Sequence, residues 1–205
     1  MRTPPFSEIL DLSIQHLELV LITMAIAAAL GIPGAIFLAR RPSARRWAVG
    51  FANIGQTIPS LALFGFLLPI PGIGGIGPRT AIIALCIYAL LPILRNALTG
   101  ILGVDAAVRE SAVAMGMTAR QVLWQVEMPL AMPCIIAGLR IATVSTIGTA
   151  TIAAAIGGGG LGVFIFRGLA MADTNTILAG AVPAAIMALI ADEVLEWIQR
   201  KLSPA

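Results

Sequence analysis

Of the 205 residues, 59% are hydrophobic and only 11% are charged, against about 45–50% and about 25% in an ordinary soluble domain. So few polar groups cannot cover a water-facing surface, so lipid is the solvent for most of the chain. The formal net charge of +3 comes from cations scattered among apolar runs, which excludes the basic, aromatic-interleaved stripe of a nucleic-acid binder.

The chain opens with Pro4 and Pro5 before Ser7, a suitable helix N-cap. Ile9, Leu10, Leu12 and Ile14 then alternate with Glu8, Asp11 and Gln15, a pattern that predicts a short segment lying at the membrane interface. A span needs about 20 mostly apolar residues at 1.5 Å each. Five windows qualify, at about 17–39, 48–69, 80–98, 130–156 and 176–198. The first is longer than the apolar region of a secretory leader, has acidic residues before it and is followed by Arg40 and Arg41, so it reads as a retained anchor. His16 at its start reads as an interfacial polar group, since no nucleophile or metal-ligand set accompanies it. Cys86 and Cys134 fall inside apolar runs without CxxC or metal spacing and read as small hydrophobes.

Two connections are rich in glycine, at 69–78, which also holds three prolines, and at 157–162. Neither sustains a helix, because Pro lacks a donor and Gly costs backbone entropy. Irregular backbone near membrane depth is tolerated where protein or a water-filled cavity covers it, so these loops either border a pathway or make tight turns. The second lacks the Lys and Ser/Thr of a phosphate-binding loop. Arg140 lies 11 residues past Pro129, about 16 Å along a helix. That is too deep for easy snorkelling, and Asp192 or Glu193 on the fifth window is its expected partner. Trp47 and Trp197, near predicted span ends, read as interfacial anchors.

Orientation follows from the cations. Arg40, Arg41, Arg45, Arg46, Arg95, Arg109, Arg120, Arg200 and Lys201 fall on one side if five spans alternate, against Arg2, Arg79 and Arg167 on the other. Basic residues are retained in the cytoplasm, so the N-terminus is expected outside and the C-terminus inside.

The loop at about 103–129 is too polar to span and well supplied with helix signals. Asp105 caps a helix running toward Met115, Gly116 ends it, and Thr118 with Gln121 forms a capping box for a second short helix. That helix carries Val122, Leu123 and Val126 until Pro129 turns the chain into the fourth span. Two short helices hinged at a glycine outside the bilayer have the form of a docking element.

Within this loop, Glu110-Ser111-Ala112, three residues, Gly116, nine residues and Val126-Glu127-Met128-Pro129 resemble the EAA loop of ABC importer permeases. That pattern reads Glu-Ala-Ala, Gly and Ile-x-Leu-Pro at the same spacing; Ser111, Val126 and Met128 are mild departures. The stretches 56–62, 88–93 and 149–154, the pair Arg95-Asn96 and the loop 157–162 are similar to the osmoprotectant branch, which imports glycine betaine, choline, carnitine and related quaternary amines. The resemblance implies one all-α membrane domain, 1–205, of the type I importer permease kind, with five transmembrane helices and a cytoplasmic coupling-helix loop. It implies that Glu110, Ser111, Ala112, Gly116, Met117, Thr118, Arg120 and Pro129 form the ATPase-coupling surface. It further implies a multi-pass protein of the inner membrane that is not an enzyme. The expected partners are ABC ATP-binding subunits holding ATP and Mg, a second permease copy or homologue, and an extracytoplasmic substrate-binding protein. Some relatives fuse that binding protein to the permease C-terminus; with the chain stopping at Ala205, a separate one is expected. No cofactor, metal or catalytic residue is expected in the chain itself. A permease for another small solute differs only in cargo. A transporter working without ATP would need coupling charges within the spans, for which Arg140, Asp192 and Glu193 are the candidates, and no docking loop.

Overall fold

In the computed structural model, which describes residues 4–202, the described residues form helices and turns with no strand. Arg2, counted in the orientation argument, lies outside them. Helix α1 (Phe6–Ala39) starts after Pro5, without a side-chain cap at Ser7, and takes the expected interfacial segment into one continuous 34-residue helix. At 1.5 Å per residue it is about 50 Å long, well beyond a hydrocarbon core of about 30 Å. Its buried residues, Leu12, His16, Leu19, Val20, Thr23, Ala27, Gly31 and Ala35, recur three or four positions apart, save the adjacent Leu19 and Val20, and so lie along one face. His16 corrects the interfacial reading: it is fully buried, with Nε2 3.1 Å from the Ile147 carbonyl oxygen.

The second window is broken. Helix α2 (Pro42–Thr57) and helix α3 (Ser60–Leu67) are separated by Ile58 and Pro59, both in extended backbone. Pro59 carries no N–H, and its ring drives Ile58 out of the helical region. Four helical stretches are long and apolar enough to cross a membrane by length and composition, Phe6–Ala39, Pro78–Leu102, Ala119–Ile156 and Thr174–Leu202; the 48–69 window is not among them. Helix α4 (Pro78–Leu102) secures the break. Tyr88 donates its hydroxyl hydrogen to the Ile58 carbonyl, and Gln56 Nε2 donates to the Tyr88 carbonyl at 3.0 Å. That carbonyl is open because Pro92, four residues on, has no N–H to return.

Helix α5 (Ala106–Ala114) and helix α6 (Ala119–Gln121) follow. The chain then continues through a π-helical turn (Val122–Glu127) into helix α7 (Met128–Ala153) without the change of direction expected at Pro129. The wider turn, in which Met128 N–H reaches back to the Leu123 carbonyl, absorbs the proline. A short 3₁₀ turn, helix α8 (Gly162–Met171) and helix α9 (Thr174–Leu202) complete the chain.

Helix α4 packs between α1 and α7, α7 also packs on α9, and α8 lies against α9. Lipid tails are as apolar as leucine, so small residues that admit close approach hold such a bundle together. A Cβ on Gly31 would meet Ile93 Cγ2 at 2.8 Å, and one on Gly138 would meet Asn96 Cβ at 2.6 Å. At one end the glycine-rich loops meet, Gly77 N–H donating to the Ile156 carbonyl at 2.9 Å. At the other end lie α5 and α6, termed here the lobe.

Candidate functional site

The lobe is built by local hydrogen bonds. Asp105 Oδ1 accepts from Ala107 N–H at 2.9 Å and starts α5. Gly116 has φ +84°, a left-handed conformation that lets Met117 N–H reach the Ala112 carbonyl at 3.2 Å and closes the helix. Thr118 then accepts from Gln121 N–H while Gln121 Oε1 accepts from Thr118 N–H at 2.8 Å, completing the capping box.

The expected coupling residues divide by exposure. Ala112 is buried against the bundle and Met117 is half-buried, whereas Glu110, Ser111, Gly116, Thr118, Arg120 and Pro129 are exposed. Glu110 makes no ion pair among the described residues. Ser111 turns its hydroxyl inward to the Ala107 carbonyl at 2.8 Å. Beside them the lobe and the π-helical turn after it expose large apolar side chains: Val113 at 61%, Met115 at 76% and Trp124 at 55% of full accessibility. Exposed apolar groups on a polar, capped element mark an interaction surface.

What holds the lobe to the bundle was not anticipated. Glu127, 7% exposed, receives Arg109 from α5, with Nε 3.1 Å from Oε1, and Arg40 from the end of α1, with Nη2 3.4 Å from Oε2. Arg109 also donates to the Ile101 carbonyl at the end of α4, at 2.6 Å. One carboxylate thus ties α1, α4, α5 and the root of α7 together. The sequence carried a faint signal, a lone Glu between Val126 and Met128 at a span edge, where a buried charge requires a cation.

Within the bundle, Arg140 is paired with Asp192 through both Nε and Nη2, the latter 2.7 Å from Oδ2, and its Nη2 lies 2.6 Å from Glu196 Oε2. Arg200 in turn pairs with Glu196. Of the two expected partners only Asp192 takes part; Glu193 is exposed, about 100° around the helix. Glu196 was missed, although 192, 196 and 200 repeat at the four-residue spacing of one helix face. No cluster of metal-ligating side chains occurs among the described residues.

A bundle of apolar spans with a clamped lobe at one end defines the class first: this is the fold of an ABC importer permease. It superposes on the inward-facing MetNI methionine ABC transporter with a TM-score of 0.89 at 20% identity, over 100% of both chains. An amino acid ABC transporter solved with histidines gives 0.75 at 20% identity, over 95% of this chain and 94% of that one. The chain belongs to the family of binding-protein-dependent transport system inner membrane components, which matches residues 31–205. It is similar to the carnitine transport permease protein OpuCD of Listeria monocytogenes, 48% identical over 87% of this chain and 79% of that protein. It is also similar to the choline transport system permease protein OpuBB of Bacillus subtilis, 42% identical over 97% of this chain and 90% of that protein. It is a transport permease of the inner membrane and not an enzyme. Importers of this class work with ATPase and binding-protein partners.

Proposed function

We propose that this chain forms half of the pore of an ATP-driven importer for a compatible solute such as glycine betaine, choline or carnitine. The names of its relatives support the cargo class. In this reading α2 and α3 together make a fifth, broken crossing, the N-terminus lies outside and the lobe and C-terminus face the cytoplasm. The second half is another copy or a homologue, and an extracytoplasmic binding protein delivers the solute. ATP and Mg are bound by the partner ATPase. Its cleft receives Glu110, Ser111, Gly116, Met117, Thr118 and Arg120, with Ala112 and Pro129 setting the helix pair on the bundle.

The observation that carries this reading is the Glu127 clamp. A lobe with an exposed apolar face is tied by Arg109 and Arg40 to the ends of α4 and α1, so a push on it reaches the spans rather than dissipating in a loop. Copurification tests it. The native chain is expected to retain an ATP-binding subunit in mild detergent, and Gly116→Pro combined with Glu110→Lys is expected to lose it. If no ATPase associates and vesicles holding the chain still move solute without ATP, a secondary transporter replaces this reading.

A further inference from the structure

A groove of about 320 Å³ runs along the bundle where the broken crossing meets α4 and α7, at the lower end of the roughly 300–1,000 Å³ of small-ligand sites. Its wall is polar for a membrane segment: Gln56, Tyr88, Arg95, Asn96, Ser145 and Thr149 all line it. Tyr88 also bonds the extended backbone at Ile58–Pro59, and such backbone is tolerated at membrane depth only against protein or water.

Arg95 is the decisive residue. The sequence counts it with the lobe-side loop cations, but it lies seven residues before the end of α4 at Leu102, about 10 Å inside the lobe end by helical rise. It is exposed, and no described carboxylate lies within ion-pair range of it. Arg140, at comparable depth, is neutralised by Asp192 and Glu196. A cation left unpaired inside a span faces water or an anion that arrives there. Farther from the lobe, Gln56 donates one amide N–H to the Tyr88 carbonyl, and its amide oxygen is a neutral acceptor close to Tyr88. Asn96, next to Arg95, donates one amide N–H to the Pro92 carbonyl. One ring and one amide oxygen attract a cationic ammonium weakly, which suits a site that must also release.

Resting on the permease reading above, we propose that this groove is a water-filled stretch of the cargo path that prefers zwitterions, Arg95 meeting the carboxylate while the ammonium end faces Tyr88. A cation without a carboxylate, such as choline, passes without using Arg95.

The test uses the assembled transporter in vesicles, with Cys86→Ala and Cys134→Ala as background and Ser145→Cys as reporter. The introduced thiol is expected to react with both anionic sulfonatoethyl and cationic trimethylammonioethyl methanethiosulfonates. Arg95→Gln is expected to slow the anionic reagent roughly tenfold relative to the cationic one, and Arg95→Lys to retain the preference. Silence toward both reagents overturns the water-filled groove. A charge preference that survives Arg95→Gln overturns the role of Arg95. In uptake, Arg95→Gln is expected to reduce glycine betaine transport several-fold more than choline transport, and equal losses refute zwitterion selectivity. If the unmutated complex carries neither solute with ATP, the cargo reading has failed separately, and the thiol rates still decide the groove.

Discussion

Glu127 and Gly116 do opposite jobs in the lobe. Glu127 acts through partners on two other elements, so its replacement loosens a junction. Glu127→Gln keeps the shape and removes the charge, and losing charged hydrogen bonds at a buried acceptor costs about 1.5–3 kcal/mol. Amide exchange across 106–121 is expected to accelerate roughly tenfold or more, while the helices above it are unchanged; equal rates would mean that the clamp holds nothing. Gly116 acts through its own backbone. Its φ of +84° is open to glycine, and nothing lies within 4 Å of a Cβ placed there, so Gly116→Ala carries backbone strain alone, about 1–2 kcal/mol. Thermal melting of the purified protein is expected to fall accordingly, and less for Gly116→Asn, since Asn tolerates that region better.

Between elements, the Arg140 network joins α7 to α9 and the Tyr88 bond joins α4 to the α2–α3 break. Asp192→Asn leaves Arg140 with Glu196, whereas Asp192→Asn with Glu196→Gln strands a cation among apolar helices. The double variant is expected to accumulate poorly and melt early, and adding Arg140→Met is expected to restore it, because removing both sides of a pair is milder than removing one. Failure of that rescue would assign the carboxylates a role beyond neutralising Arg140. Tyr88→Phe leaves the Ile58 carbonyl without its donor, and about 1 kcal/mol of stability is expected to go with it. Denaturation of the purified chain measures this directly.

For the whole molecule, the two ends differ in kind: glycine loops meet at one and the charged clamp closes the other. With the lobe in the cytoplasm, a thiol introduced by Ser43→Cys, exposed at the start of α2 at the lobe end, in a Cys86→Ala, Cys134→Ala background is expected to react with an impermeant reagent in inside-out vesicles and to resist it in intact cells. The reverse labelling would invert the orientation.

Much of the lobe was legible because its signals are local: Asp105, Gly116 and the Thr118–Gln121 pair each act within a few residues of themselves. Apolar windows likewise announced the spans, since bilayer thickness sets their length whatever they pack against. Window averaging hid the break at Pro59, where one missing N–H outweighs the surrounding apolarity.

The sequence by itself therefore determined the solvent, the helical class and the capped lobe, all of which follow from composition or short-range hydrogen bonding. Only the tertiary structure decided that Glu127 reaches Arg40, 87 positions away, that Arg140 selects Asp192 and Glu196 over Glu193, and that His16 is buried against Ile147. Each of these depends on which helix faces come together, and that is set by close packing of small residues on separate spans, which no local pattern encodes.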